Sequence, residues 1–320
     1  MTLPGGDFGS KGPIGAIDIG TNSVLLMICE ERDGALFATL DRATITRLGE
    51  GVDRTRKLGA EAAQRTLACL SDYASELRAR SVTRLGVVGT SALRDAEGGA
   101  DFLNQAQAIL GARPEVIAGV TEAELTFEGA LSGLGLSGAV SVFDVGGGST
   151  EIISGSASTA PSVARAVSLD IGSVRLFERH ARSDPPSAEE TARAVADIES
   201  ALQRAPTPEP GAVLVGVAGT VTTLAAIALG LDVYDGARVH GHVLTREQVI
   251  AIADRLARLP LAERMALAGL EPRRADVIVM GAEIVRRVQL WAAAPKLVVS
   301  DRGVRWGVAQ RLATGRALNG

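Results

Sequence analysis

Two glycine-rich segments, Asp18-Ile-Gly-Thr-Asn-Ser23 and Asp144-Val-Gly-Gly-Gly-Ser-Thr-Glu151, begin 126 residues apart, and each follows a compact apolar run that reads as a strand. A glycine-rich turn closing a hairpin lets backbone N–H groups approach phosphate oxygens without Cβ interference, while a leading aspartate can hold a hydrated divalent cation beside them. The candidate phosphate contacts are Gly20, Thr21, Asn22 and Ser23 in the first loop and Gly146, Gly147, Gly148, Ser149 and Thr150 in the second. Asp144 and Glu151 stand seven residues apart across the second turn, so paired strands bring both carboxylates to its mouth, as a site for magnesium or another divalent cation such as manganese requires. Asp18 is the third candidate metal ligand; bracing its own hairpin turn is the alternative reading. Two such loops facing one another would clamp a phosphate chain from both sides.

Other charged residues extend the candidate site. Arg94 follows Thr90-Ser-Ala-Leu93 at the end of an expected strand, where α/β sheets present ligands, and a guanidinium suits bidentate phosphate contact. The alternative is a surface ion pair with Asp95 or Glu97. Arg302 and Arg305 either widen the same anion surface or stand as solvated charge. Glu122 and Glu124 open an expected helix, where acidic residues are favoured by the macrodipole without any further role. His240 and His242 lack a third ligand nearby and read as loop or packing residues. No Gly-x-Ser-x-Gly elbow and no Gly-x-x-x-x-Gly-Lys-Thr loop is present.

These loops need strands and helices to hold them. The pattern predicts strands at 14–19, 24–31 and 39–48, a helix at 61–80, a strand at 84–89, a helix at 101–110 and a strand at 115–118. After a helix at 122–134 the layout restarts, with strands at 140–145, 151–154 and 162–168, later strands at 214–218 and 297–300, and helices at 188–204, 246–258 and 276–291. The chain therefore reads as α/β with a duplicated topology, divided near 119–122. The Pro-rich 205–210 piece is a loop between helix and strand.

Composition is consistent with this plan. At 320 residues the chain is about two domains long, and only 3% of it is aromatic, so the core falls to Ala, Val, Leu and Ile and no stacking platform for nucleic acid is available. A net charge of −4 is the wrong sign for holding polyanions by bulk field, so any phosphate site is local. The uncharged stretch 211–231 approaches membrane-spanning length, but its Gly219-Thr-Val-Thr-Thr223 interruption favours a strand, a tight turn and a helix. Residues 1–11 carry no signal-peptide pattern and read as a disordered lead-in. Cys29 and Cys69 form no motif, which fits a reducing, cytoplasmic setting without disulfides.

Seven ordered segments carry a resemblance that covers nearly the whole chain: Ala16-Ile-Asp-Ile-Gly-Thr-Asn-Ser23, Thr90-Ser-Ala-Leu-Arg-Asp95, Gly119-Val-Thr-Glu-Ala123, Phe143-Asp-Val-Gly-Gly-Gly-Ser-Thr-Glu151, Ser168-Leu-Asp-Ile-Gly-Ser-Val-Arg175, Gly219-Thr-Val-Thr-Thr223 and Ser300-Asp-Arg-Gly-Val-Arg305. The chain resembles the exopolyphosphatase and guanosine pentaphosphate phosphohydrolase (Ppx/GppA) family of the actin-like ATPase superfamily. That resemblance implies two ribonuclease-H-like domains, 1–121 and 122–302, with an interdomain active-site cleft and a C-terminal helix at 303–320 returning to the first. It implies hydrolysis of a terminal phosphoanhydride of polyphosphate or guanosine pentaphosphate, with Glu122 as the base that activates water and Arg94 orienting the terminal group. A homodimer is implied too, with neither nucleic acid nor membrane as partner. The chain departs from the family at Thr121, where an acid is common, at Glu124, where a basic residue is common, and at Trp306, where a glutamate is common. The resemblance also implies a short form, without the C-terminal helical domain that longer relatives add. An actin-like ATPase or small-molecule kinase, and a nonenzymatic alarmone-binding regulator, are the alternative readings.

Overall fold

The computed structural model describes residues 12–97, 99–158 and 161–318; the expected lead-in at 1–11 lies outside them. The first sheet contains β1 (Ile14–Ile19), β2 (Ser23–Arg32), β3 (Ala35–Ile45), β4 (Arg84–Gly89) and β5 (Glu115–Val116), in the order β3-β2-β1-β4-β5. The second contains β6 (Gly138–Val145), β7 (Thr150–Ala157), β8 (Ser162–Leu169), β9 (Val213–Val217), β10 (Val243–Thr245) and β11 (Lys296–Val299), in the order β10-β11-β9-β6-β7-β8. In each sheet three strands form an antiparallel meander, and the strand that follows a helical crossover pairs parallel with the first of them. The duplicated order is that of a pair of ribonuclease-H-like sheets. The chain is α/β as expected.

The interior is aliphatic. Ile17, Ile19, Val24 and Leu26 meet Leu70 and Leu77 of helix Ala60–Ala79 in the first half, while Phe143, Ile152, Leu224, Ile284 and Val285 anchor the second. β1 is buried at every position, as a strand covered on both faces must be. The 211–231 stretch resolves into β9 followed directly by helix Ala218–Leu229, and Ala218, at φ 69, makes the tight turn expected between strand and helix. Among the described residues no helix is long and apolar enough to cross a membrane.

Between the halves, helix Gly119–Leu131 lies against helix Val304–Thr314, which also rests on β1, β2 and β4. Two glycines set this contact. A Cβ on Gly129 would overlap the carbonyl of Gly303, and one on Gly307 would overlap that of Leu125. Because both obstacles are backbone, neither can move cheaply. Gly307→Ala is expected to lower unfolding free energy by about 2–3 kcal/mol, seen as a lower urea midpoint with unchanged slope; an unaltered midpoint would show that the helices separate without cost.

Candidate active site

Both predicted loops are four-residue turns closed by the same bond, from the Gly20 amide to the Ser23 carbonyl and from the Gly146 amide to the Ser149 carbonyl, each 3.0 Å. They face one another across the interface. A Cβ on Gly147 would meet Thr21 and Asn22, and one on Gly148 would meet Ser91 Oγ and Thr21 Oγ1, so only glycines let the loops come this close. Thr21 Oγ1 and Ser91 Oγ are hydrogen-bonded at 2.7 Å. The loops open on a cleft of about 1100 Å³ lined by Gly20, Thr21, Asn22, Ser23, Gly146, Gly147 and Ser149. Gly148 and Thr150 are outside this lining. Gly148 faces a small adjoining cavity, and the buried Thr150 hydroxyl donates to the Ile171 carbonyl at 2.6 Å, so its side chain does not reach the cleft.

Four carboxylates gather behind the loops. Asp18 is the penultimate residue of β1, Glu122 sits in the first turn of helix Gly119–Leu131, and Asp144 and Glu151 are direct partners across the β6–β7 ladder. Asp18, Glu122 and Asp144 line the cleft; Glu151, 1% exposed, lies just beneath it and accepts a 2.7 Å hydrogen bond from Ser168 Oγ. Burial pushes the Asp18 carboxyl up to about 7, with Arg305 opposing and Glu151 adding to the rise. Burial and the Glu151 charge likewise hold Glu122 and Asp144 well above the ordinary carboxylate range. Glu151 is raised by burial and partly relieved by Ser168 and Ser149.

Acids packed this way want a cation. Among the described residues no three His, Cys, Asp or Glu side chains form a ready-made cage, but magnesium keeps several waters and takes one or two carboxylates plus substrate phosphates. The buried Asp18 Oδ1 has no hydrogen-bond partner. An orphaned carboxylate oxygen beside three under-compensated acids fits a hard divalent cation.

The arginines divide by function. Arg94 lies not at a strand end but in the short helix Ser91–Asp95, and it donates to Glu122 Oε2 at 2.9 Å and to the Ile117 carbonyl at 3.2 Å instead of pairing with Asp95 or Glu97. Arg305 lines the cleft and grips Asp41 with two 2.9 Å bonds. Arg302, half-buried, is outside the cleft lining: its guanidinium stacks 4.0 Å from the Trp306 ring centroid and donates to Ser132, so it is not part of the anion surface. Trp306 thus gives Arg302 an aromatic face. Glu124 pairs with Arg311 at 3.0 Å, which accounts for its sign. His240 Nδ1 accepts from the Asp301 amide at 3.3 Å, and burial with Arg302 nearby pushes its value down to about 4, marking a neutral packing residue.

Arg274 escaped the sequence reading. Its half-buried guanidinium lines the cleft, donates to Ser23 Oγ at 3.0 Å and lies so close to Gly219 that any Cβ there would strike it. In the sequence it is one of two adjacent arginines in a polar turn, and only the fold reveals that it is desolvated beside the first loop.

The sequence profile of the Ppx/GppA phosphatase family matches residues 27–314. Exopolyphosphatase 2 of Mycobacterium tuberculosis is 39% identical over 318 residues, covering 94% of this chain and 98% of that protein. Guanosine-5'-triphosphate,3'-diphosphate pyrophosphatase of Vibrio atlanticus is 31% identical over 302 residues, covering 93% of this chain and 58% of that longer protein. The crystal structure of the Aquifex aeolicus family member shares 33% identity and a TM-score of 0.80, covering 96% of this chain and 99% of that one. The chain belongs to the Ppx/GppA phosphatase family.

Proposed function

We propose that this chain is a phosphohydrolase that removes the terminal phosphate of inorganic polyphosphate, of guanosine pentaphosphate, or of both. The observation that carries this reading is the convergence of Asp18, Glu122 and Asp144 on one cleft between two opposed glycine turns. Gly20 to Ser23 and Gly146 to Ser149 hold successive phosphates, and Arg94 orients the terminal group. Glu122, whose burial and acidic neighbours make it a stronger base than an ordinary carboxylate, positions and deprotonates a water in line with the scissile P–O bond. The water oxygen bonds to phosphorus as the bridging oxygen leaves with the electron pair. Asp144, Glu151 and Asp18 are the residues that would hold magnesium or manganese, which neutralises phosphate charge when bound. Positioning and charge neutralisation supply most of the acceleration in phosphoryl transfer.

A nucleoside-bearing substrate has its own support. Leu231, Tyr234, Met265 and Leu267 line the cleft, as does Arg274, so its wall offers apolar surface as well as a cation. A bare polyphosphate has no use for apolar wall. Both cysteines are buried free thiols, which supports a cytoplasmic setting, and family resemblance supports a homodimer.

Orthophosphate release from short polyphosphate, long polyphosphate and guanosine pentaphosphate, each with and without magnesium, tests the reading; release from none of them, or turnover of ATP alone, would overturn it. For the metal, Asp144→Asn combined with Glu151→Gln is expected to raise the half-saturating magnesium concentration by at least about tenfold. Unchanged metal dependence would remove these two ligands from the assignment.

A further inference from the structure

The second glycine turn is not held by its own hairpin alone. The amide of Ser173 donates to the Gly146 carbonyl at 3.0 Å, and those of Val174 and Arg175 donate to the Gly147 carbonyl at 2.9 and 3.0 Å. Arg175 Nε then takes the Gly148 carbonyl at 2.6 Å. In a planar trans peptide the C=O of one residue and the N–H of the next point in opposite directions. Drawing the carbonyls of residues 146 to 148 toward helix Ser173–His180 therefore turns the amides of Gly147, Gly148 and Ser149 to the opposite side, where a phosphate acceptor is served. The same guanidinium reaches across to the other half of the molecule, donating through Nη1 to Asp53 and through Nη2 to Asp95 Oδ2 at 2.7 Å. Asp95 is the residue after Arg94 and shares its short helix. Arg175 is only 7% exposed, so these contacts are made largely out of water.

We infer that Arg175 is the positioning residue of the hydrolytic site: one side chain sets the orientation of the second phosphate turn and ties it to the helix that carries Arg94. The inference rests on the phosphohydrolase reading for its kinetic consequence and on geometry alone for its structural one. It requires three donors in a fixed planar fork, which lysine cannot supply. Misplacement of about 1 Å away from the reacting atoms is enough to cost about a hundredfold in rate.

Arg175→Lys keeps the charge and removes the fork. On the smallest polyphosphate the parent hydrolyses, its kcat is expected to fall about 10- to 100-fold with KM within about threefold, because many other groups hold the ground state. Independently of turnover, amide hydrogen exchange should accelerate about tenfold or more at Gly146 and 173–175, whose amides bond to the turn, and across 91–95, but not within β6. Asp95→Asn should reproduce the change at 91–95, and its effect on kcat should be less than additive with Arg175→Lys. Parental exchange both at the turn and across 91–95, or kcat within twofold of the parent, would overturn the role of Arg175. A parent inert on every substrate would instead overturn the functional reading, and the exchange measurement would still decide for or against Arg175.

Discussion

Glu122→Gln is expected to slow orthophosphate release by about a hundred- to ten-thousandfold while leaving substrate binding within a few-fold of the parent. The amide has nearly the shape of the carboxylate and still accepts the 2.9 Å hydrogen bond from Arg94, so the site is left intact while the proton acceptor is lost. Glu122 sits above the ordinary carboxylate range through burial and the charges of Glu151 and Asp18. A base works only when deprotonated, so the acid limb of the parent's pH profile should lie above the usual glutamate value of about 4.3 and be absent from the residual activity of the variant. Turnover near the parental rate would exclude Glu122 as the base.

Asp18→Asn should separate stability from activity. The folded protein holds the Asp18 proton up to about pH 7, whereas the ordinary value is 3.8. Between those values the folded state binds more protons than the unfolded chain, so stability falls as pH rises through the window. Asparagine removes that slope. The shift is equivalent to about 4 kcal/mol in full, and about 2 kcal/mol is a realistic gain for the metal-free variant at pH 8 once the site relaxes. The gain should shrink toward zero as pH approaches 4. Urea midpoints at pH 5 and pH 8, with and without magnesium, check this. Added magnesium should stabilise the parent more than the variant, and phosphate release by the variant should fall by at least about a hundredfold. A variant less stable than the parent at pH 8 would mean that Asp18 braces its turn and is not a strained acid awaiting a cation.

The glycine turns and the Asp144–Glu151 pair were legible because both follow from local rules: strand periodicity and hairpin register put residues at fixed offsets on one face. Glu122 was legible only through family resemblance, since an acid in a first helical turn has an adequate reason to be there already. The arginines were the opaque part. Arg94 was placed at a strand end but rides on a helix and faces Glu122; Arg302 was expected at an anion surface or in solvent and instead stacks on Trp306. Arg175 and Arg274 reach partners 80 and 251 residues away. A guanidinium in a sequence looks the same whether solvated or buried, because its partners are chosen by the meeting of two sheets. Thr150 shows the reverse error: a hydroxyl in the right motif is taken by a backbone carbonyl behind the loop.

The glycine joint between helices Gly119–Leu131 and Val304–Thr314 has a mechanical consequence. Where backbone touches backbone there is no side-chain layer to shear, so any movement of one half against the other would be confined to swivelling about that crossing. Glu122 stands seven residues from Gly129, about 10 Å along the same helix axis, close to the pivot of any such swing. A swing of one half against the other about that crossing would leave the Glu122 carboxylate almost stationary.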